Sequence, residues 1–229
     1  MKLIISVLLI ILFLTACSGY KVKDNKVYWK YWNEGSGSGE KLIVKADAAS
    51  FTAMEHDAYG KDKNQAYYQG NLIQDIDAES FKSIYRYYAI DKYRAYMGKD
   101  IIKNADGATF KVVEGNWGRD SKDYYFKTDS LNVCDYDSLK IYDFKGKYSN
   151  DYAVDSKCAY FGHRKIPVKD KESFSIIIAG YAKDKYSVYY ESSVLEGADA
   201  ATFEMKSGTF VGKDKNQCYL FGRPEPCNL

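Results

Sequence analysis

The chain of 229 residues has little histidine and proline, and its charges nearly cancel. Two histidines and three prolines occur, and 33 basic residues stand against 31 acidic ones, which leaves a net charge of +2. Nucleic-acid-binding proteins that neutralise phosphates carry a basic surface, so this balance argues against that class. Apolar residues make up 46% of the chain, which excludes a disordered or collagen-like protein. Tyrosine, by contrast, is abundant, with 23 residues.

The sequence also lacks the common motifs of catalysis and metal binding. It has no nucleophile elbow, phosphate-binding loop, zinc-binding helix or Cys-x-x-Cys pair. His56 and His163 lie far from any matching metal ligands, and Asp62-Lys63-Asn64 has too few oxygen ligands for a calcium loop. His56, next to Asp57, is an acid–base candidate, although such histidines more often lie on the surface. We therefore predict a protein that is not an enzyme and that needs no metal or cofactor.

Residues 1–16 have the layout of a signal peptide. Lys2 supplies a positive start, and the apolar run from Leu3 to Leu14 is shorter than the ~20 residues that cross a bilayer. The tetrad Leu14-Thr15-Ala16-Cys17 then resembles the bacterial lipobox, which implies cleavage before Cys17 and acylation of that cysteine. The alternative is an ordinary secretory signal followed by an incidental cysteine.

The lipobox resemblance implies an exported lipoprotein that is held on a membrane by acyl chains on Cys17. Ser18 follows the cysteine, a choice that resembles outer-membrane sorting in diderm bacteria. Residues 17–19 would form the lipid-anchored N-terminus. Residues 33–40 are rich in glycine and serine and are either a flexible tether or a long hairpin loop.

Self-comparison of the chain reveals a repeat of about 29 residues. The segment 60–65, Gly-Lys-Asp-Lys-Asn-Gln, recurs letter for letter at 212–217. We call the aspartates in this position the turn aspartates: Asp62, Asp91, Asp120, Asp155, Asp184 and Asp214. A tyrosine stands five residues after each one, and we call this set the tyrosine strip: Tyr67, Tyr96, Tyr125, Tyr160, Tyr189 and Tyr219. The second aspartates, each followed four residues later by Phe or Leu, are Asp47, Asp77, Asp106, Asp135, Asp170 and Asp199.

The physical chemistry of one unit predicts a β-hairpin. In the segment 59–68, strand-forming residues flank Asp62-Lys63-Asn64, and Asp and Asn favour tight turns. Ala66 and Tyr68 share one strand face, the expected core face, while Tyr67 projects from the other. A turn near Gln69-Gly70 and a short strand should follow. The second aspartate is predicted to cap a one-turn helix, with an Asx-type turn in a loop as the alternative.

A single unit of this size cannot bury its own apolar face, so neighbouring units must stack. We predict a mainly β protein with short one-turn helices, an array of about six β-hairpin repeats stacked into one core. Residues 20–51 would form an irregular first repeat, residues 52–221 the array and residues 222–229 a C-terminal tail. Extra residues between Asp120 and Asp155 should form a surface loop near 142–149.

The repeat resembles the bacterial DKNYY repeat family. The resemblance lies in Asp62-Lys63-Asn64-Gln65-Ala66-Tyr67-Tyr68 and in the segment 184–190, and it covers roughly residues 20–221. Departures are Asp120-Ser-Lys-Asp and Asp155-Ser-Lys-Cys in the turns and Leu139 in place of Phe. The family often carries lipoprotein signals and supplies no catalytic residues, so the resemblance implies an architecture rather than an activity.

Four cysteines besides Cys17 suggest two disulfides in an exported chain, with three possible pairings. We favour Cys218–Cys227, which closes the last unit, and Cys134–Cys158, which joins adjacent units. Free buried thiols are the alternative if the compartment is not oxidising.

These observations predict a lipid-anchored envelope protein that acts as a non-catalytic scaffold or binds a protein partner. A carbohydrate- or peptidoglycan-binding module that uses the tyrosine strip is a second hypothesis, and an envelope hydrolase is a third. We favour internal packing for the tyrosine strip, because a tyrosine at the same place in every unit is typical of a structural position.

Overall fold

A computed structural model describes residues 19–55, 58–142 and 151–227. The chain divides into two compact units, Met1–Tyr87 and Tyr88–Leu229. The described residues form seven small antiparallel sheets: a three-stranded sheet and then six four-stranded sheets, each of four strands consecutive in the sequence. This arrangement confirms the predicted array of six β-hairpin repeats.

The strands are short, mostly two to four residues. Those of the first unit are β1 (Gly19–Lys23), β2 (Lys26–Asn33), β3 (Gly37–Leu42), β4 (Thr52–Ala53), β5 (Tyr59–Lys61), β6 (Ala66–Tyr68), β7 (Asn71–Ile73) and β8 (Lys82–Tyr85). Those of the second unit are β9 (Tyr88–Ile90), β10 (Ala95–Met97), β11 (Asp100–Ile101), β12 (Lys111–Glu114), β13 (Trp117–Arg119), β14 (Tyr124–Phe126), β15 (Asp129–Ser130), β16 (Lys140–Tyr142), β17 (Tyr152–Val154), β18 (Ala159–Phe161), β19 (Arg164–Lys165), β20 (Ser175–Ile176), β21 (Tyr181–Lys183), β22 (Val188–Tyr190), β23 (Ser193–Val194), β24 (Glu204–Met205), β25 (Val211–Lys213), β26 (Cys218–Leu220) and β27 (Arg223–Glu225).

The sheet β20–β23 illustrates how one repeat folds. Its central strands pair Tyr181 with Tyr190 and Lys183 with Val188, and the turn aspartate Asp184 begins the hairpin between them. The Asp184 amide donates to the Ser187 carbonyl at 3.0 Å, which closes the turn. A two-residue loop at 191–192 then returns the chain into β23. The hairpin and the short strand after it were both predicted.

The one-turn helices were wrong, since the described residues contain no helix. At the second aspartate Asp106, the amides of Thr109 and Phe110 donate to the Asp106 carbonyl at 3.2 and 3.0 Å. The Ala108 amide donates to the Asp106 carboxylate at 3.1 Å. The carboxylate bond predicted for a cap is present, but the chain leaves the turn directly into β12 at Lys111, so no second turn forms. The alternative, an Asx-type turn, is the one observed.

The repeat also has a different starting point from the one the spacing suggested. The second aspartate packs with the turn aspartate that follows it, not with the one before: the Asp199 amide donates to the Asp214 carboxylate at 2.7 Å. Phe203, at the end of the Asp199 turn, then lies against Gly212 in β25. Each structural repeat therefore begins with a second-aspartate turn and ends with the fourth strand of its sheet.

Neighbouring sheets of the second unit pack on each other through aromatic side chains. Tyr152 and Ile166 of one sheet pack with Ala182 and Tyr189 of the next. Within each sheet, cross-strand aromatic pairs add to the packing, as between Tyr181 and Tyr190, whose ring centroids lie 4.9 Å apart. The Lys183 ammonium reaches the turn of the following sheet and donates to the Ala200 and Phe203 carbonyls. Stacking thus buries the faces that single repeats cannot bury.

The ends of the array differ in detail from the predictions. The Gly/Ser-rich segment 33–40 is a hairpin, in which residues 37–42 form β3. At the other end, β27 lies inside the segment predicted as a C-terminal tail and pairs with β26. The surface loop predicted near 142–149 falls almost entirely outside the described residues. In the described part of the chain, no helix is long and apolar enough to cross a membrane.

Candidate functional site

Five of the six turn aspartates are buried, Asp214 is partly buried, and the carboxylates are saturated with hydrogen bonds. Asp184 is 2% exposed. One of its oxygens accepts the amides of Tyr186 and Ser187, both at 2.8 Å. The other accepts the amides of Lys169 and Asp170 at 2.8 and 3.0 Å and the Tyr189 hydroxyl at 2.6 Å. Burial alone would raise the pKa of Asp184, but the Tyr189 hydroxyl and the backbone amides lower it to about 2.

The same pattern recurs at the other turn aspartates. In all six, the carboxylate accepts the amides two and three residues later and the hydroxyl of the tyrosine five residues later; the other five pairs are Asp62–Tyr67, Asp91–Tyr96, Asp120–Tyr125, Asp155–Tyr160 and Asp214–Tyr219. These aspartates therefore hold the turns together, and their regular spacing has a structural cause.

The tyrosine strip lies inside the protein. Its six side chains are between 0 and 2% exposed, so the strip does not form an accessible binding surface. The alternation along the strands predicts that these tyrosines lie on the face opposite the core. That face is instead covered by the phenylalanine of the second-aspartate turn. In the last repeat, the ring centroids of Phe203 and Tyr219 lie 5.9 Å apart. Burial, followed by the bond to Asp184, raises the pKa of Tyr189 to about 12. The packing interpretation of the strip agrees with this burial.

A second link joins the two turns of each repeat. Ser173, three residues after Asp170, accepts the Lys185 amide on its hydroxyl oxygen at 2.9 Å. The Lys185 ammonium pairs with the Asp170 carboxylate at 2.6 Å. Equivalent ion pairs join Lys63 to Asp47 and Lys215 to Asp199. The lysine of the repeated Asp-Lys dipeptide thus ties the hairpin turn to the second-aspartate turn.

Both predicted disulfides are confirmed, Cys134–Cys158 and Cys218–Cys227. The spacing of Cys134 and Cys158 predicts a bond between adjacent units, but the bond lies within one structural repeat. The amides of Cys134 and Cys158 both donate to the turn aspartate Asp155, so the bond connects the two turns of one repeat. Ser156 occupies the position of the pairing lysine in that repeat; its hydroxyl donates to the Asp135 carboxylate at 2.5 Å, and the disulfide adds a covalent link.

Residues at positions where the units differ meet, beside two aromatic residues of the regular strands, in a cleft of about 320 Å³ in the second unit. It lies at the hairpin loops of three consecutive sheets, β12–β15, β16–β19 and β20–β23. Its lining consists of Phe126, Lys127, Thr128, Asp129, Phe161, Gly162, His163, Arg164, Glu191 and Ser192. Aromatic rings thus share the lining with charged side chains of both signs. This cleft is the candidate functional site.

The loop backbone explains how the cleft is shaped. The first residue of each loop has a left-handed backbone, with φ of 56° at Lys127, 57° at Gly162 and 53° at Glu191. The Lys127 amide donates to Asn116 at 2.8 Å, and the Glu191 amide donates to Gly180 at 2.6 Å. These bonds fix the loop ends and leave the charged side chains exposed. Gly162 is buried, and a Cβ there would lie only 3.3 Å from the Phe126 ring.

The electrostatics of the cleft centre on Asp129. Its carboxylate accepts the Lys103 ammonium at 2.8 Å, and the His163 Nδ1 atom lies 4.0 Å away. The Lys103 hydrogen bond, more than the charges of Lys103 and His163, lowers the pKa of Asp129. Lys127, Arg164 and Glu191 surround this pair at the exposed rim. The arrangement suits a polar, charged ligand surface, such as a protein segment with carboxylate and ammonium groups.

Other predicted site residues are not brought together here. Cys17 and His56 lie outside the described residues. Within the described ranges, no group of three or more His, Cys, Asp or Glu side chains could hold a metal ion. Sequence reasoning missed most of the cleft: Lys127, Arg164 and Glu191 stand seven to nine residues after a turn aspartate, at positions where the units differ. That local variation within an otherwise regular repeat was the available signal.

Comparison with known proteins gives one match. The model of the DKNYY family matches residues 6–99 and 67–223. No curated protein and no solved structure matches the chain.

Proposed function

The chain belongs to the DKNYY family, and we propose that it is a lipid-anchored envelope protein that acts as a non-catalytic scaffold. A protein partner docks in the cleft around Asp129 and His163. The observation that carries this proposal is that the polar residues of the repeat and those of the cleft differ in burial and in regularity. The tyrosine strip and five of the six turn aspartates are buried, whereas the charged residues of the cleft are at the surface and differ from one sheet to the next.

The shape and charge of the cleft support a protein partner. The cleft spans three sheets, so an extended segment can contact each loop in turn. Lys127 and Arg164 would pair with acidic groups of the partner, and Glu191 with a basic group. Exposed charges of this kind contribute mainly to association rate and specificity. Their mutation should therefore change partner choice without unfolding the array.

The two alternative functions fare differently. Carbohydrate binding through the tyrosine strip loses its basis, because those rings are buried and no sugar can stack on them without opening the core. The hydrolase hypothesis keeps one described candidate, His163 in the cleft. Turnover of an envelope substrate that is lost in His163→Ala would support a hydrolase and contradict the scaffold proposal.

Site-specific photo-crosslinking in the parent cell tests the proposal. A photoreactive amino acid at Thr128 or Ser192 should capture one defined protein, and the same group at exposed Lys122 should not. Charge reversal by Lys127→Glu with Arg164→Glu should reduce the crosslink at Ser192 by about tenfold or more.

The matched control is Lys122→Glu with Lys157→Glu, two exposed lysines in hairpin turns outside the cleft lining. Both double variants change the net charge of the protein by the same amount, so only an effect specific to the cleft variant supports docking there. Equal crosslinking from Thr128, Ser192 and Lys122, or no protein captured at all, would contradict the proposal.

A further inference from the structure

The first sheet has a strongly basic outer face. The register of β1, β2 and β3 places Val27 and Trp29 on the face that packs with Tyr67 of the next sheet. The opposite, outer face carries Lys21, Lys23, Lys26, Tyr28, Lys30, Trp32, Ser38, Glu40 and Leu42. Four lysines therefore stand against a single glutamate, which Lys21 pairs at 2.9 Å. Lys23 lies 3.9 Å from the Asp24 carboxylate in the β1–β2 turn, so two positive charges, Lys26 and Lys30, remain in excess on this face.

The outer face also exposes apolar groups. Trp32 is 57% exposed and Leu42 is 40% exposed, while the two other tryptophans of the chain, Trp29 and Trp117, are 7% and 1% exposed. Trp32 lies near the end of β2, beyond the last residue that pairs with β1. Tyr31, on the other side of the strand, lies over Gly39 of β3. The hairpin thus projects an indole ring beyond the three-stranded part of the sheet.

The strand register places this indole at the same end of the sheet as the start of β1. Gly19 pairs with Lys30, and the chain runs from Lys30 to Trp32 in the direction from which β1 enters. Cys17 precedes Gly19 by two residues, a reach of at most about 7 Å. Acyl chains on Cys17 would therefore enter the bilayer close to Trp32.

We propose that the outer face of β1–β3 docks on an anionic lipid surface, with Trp32 in the interface beside the acylated Cys17. This inference rests on the proposed lipid anchor and adds a second contact that orients the first unit. Indole rings favour the membrane–water interface because they are apolar with one polar N–H group. Lysines near anionic headgroups strengthen binding, and their excess here matches the charge of such a surface.

Quenching of tryptophan fluorescence by brominated lipids tests the docking. The acylated full chain is reconstituted in liposomes of brominated phosphatidylcholine and phosphatidylglycerol. We expect quenching in the native protein and its loss in Trp32→Phe, because the other two tryptophans are buried. Replacing Lys21, Lys23 and Lys30 by Gln should weaken docking about fivefold per lysine and abolish most of the quenching.

The matched control replaces Lys82, Lys111 and Lys140 by Gln, three exposed lysines that each begin a strand elsewhere in the chain. It should leave the quenching unchanged. A native chain that sediments with the liposomes but shows no quenching would overturn the docking face and leave the anchor intact. A chain that does not sediment would overturn the anchor and the docking face together. If liposomes alone do not protect Trp32 from soluble quenchers but liposomes that contain a membrane protein do, the face binds a protein partner and lipid docking is overturned.

Discussion

Two neighbouring repeats of the second unit have the same hydrogen-bond network and different links between their turns. In the repeat of β16–β19, Asp155 accepts the amides of Lys157 and Cys158 and the Tyr160 hydroxyl. Asp184 does the same in the repeat of β20–β23. The first repeat closes its two turns with a disulfide and the second closes them with an ion pair.

The difference shows which parts of the repeat the fold requires. A buried carboxylate with several donors stands at the same place in both repeats, whereas the link on the surface differs. Lys185 pairs with Asp170 in one repeat. In the other, the Ser156 hydroxyl donates to the Asp135 carboxylate and a disulfide is added. Buried polar groups must keep their partners, because an unpaired one loses its full hydration. An exposed ion pair contributes little, so another link can replace it.

The largest expected effect is that of removing the shared network. Asp184→Ala leaves three backbone amides and one buried hydroxyl without their acceptor, while the Lys169 amide keeps only the Tyr189 hydroxyl at 3.1 Å. We expect the free energy of unfolding to fall by at least ~4 kcal/mol. Urea denaturation measures the loss. Asp170→Ala is the matched control, since its carboxylate belongs to the link with the exposed Lys185, and it should lower the free energy of unfolding far less than Asp184→Ala does. Similar losses for the two variants would contradict the distinction between network and link.

Removal of the covalent link should have the next largest effect. Cysteines 134 and 158 are 24 residues apart, and replacing both by Ser should lower the free energy of unfolding by ~3 kcal/mol. The disulfide Cys218–Cys227 closes a shorter loop, since its cysteines are nine residues apart, and replacing both by Ser should lower the free energy of unfolding by ~2.5 kcal/mol. Urea denaturation of the two double variants provides the comparison. No loss on breaking Cys134–Cys158 would show that the disulfide contributes no more to stability than the ion pair of the next repeat, and would contradict the expected order.

Lowering the pH should destabilise the turns of the β20–β23 repeat before those of the β16–β19 repeat. The bond from Lys185 lowers the pKa of Asp170, and the pKa of Asp184 lies at about 2 instead of 3.8. Both aspartates therefore stabilise the fold above pH 3.8, and their contribution is lost as the pH falls toward 2. In the β16–β19 repeat the Ser156 hydroxyl lowers the pKa of Asp135, so that hydrogen bond also weakens in acid, but the disulfide between the same turns does not titrate. Amide exchange, corrected for its intrinsic pH dependence, should accelerate at Lys185 before Ser156, and the reverse order would contradict this view.

The smallest effect belongs to the ion pair alone. Lys185 is 56% exposed in its side chain, so Lys185→Ala should lower the free energy of unfolding only slightly, and less at high salt than at low salt. Thermal unfolding at low and high ionic strength measures both. Lys140→Ala removes an exposed lysine that begins β16 and is the control. A loss at Lys185 as large as that of Asp184→Ala would mean that the ion pair belongs to the required network.

Much of the fold was predictable because its signals are local. Asp and Asn select tight turns, and identical spacing in successive units identifies the repeat, so the hairpins and the short strand after each were correct. The disulfide pairs were also correct. The one-turn helices were wrong because a capping aspartate stabilises a single turn as well as the start of a helix. Only the residues after Phe110 decide between them, and they enter β12 directly.

The candidate site was predictable only in part. His163 was noted as an isolated histidine, but nothing in its neighbourhood along the chain connects it with Asp129 or Glu191. Those residues meet because three sheets stack with their loops at one edge. Similarly, the outer face of the first sheet became visible only when the register placed Lys21, Lys30 and Trp32 on one side.

The sequence alone determined the period of the array and the positions of its turns, since each depends on residues within a few positions or on exact recurrence. It left three pairings of the cysteines open, and the tertiary structure decided among them because Cys134 and Cys158 meet across two turns of one repeat. Tertiary structure decided which faces are covered. Tyr189 alternates along its strand as an outward residue would, yet the turn that precedes its sheet folds beneath it and places Phe174 against its ring at 6.2 Å. Burial depends on the neighbour that arrives from elsewhere in the chain, and for that reason the tyrosine strip became core while the variable loops became surface.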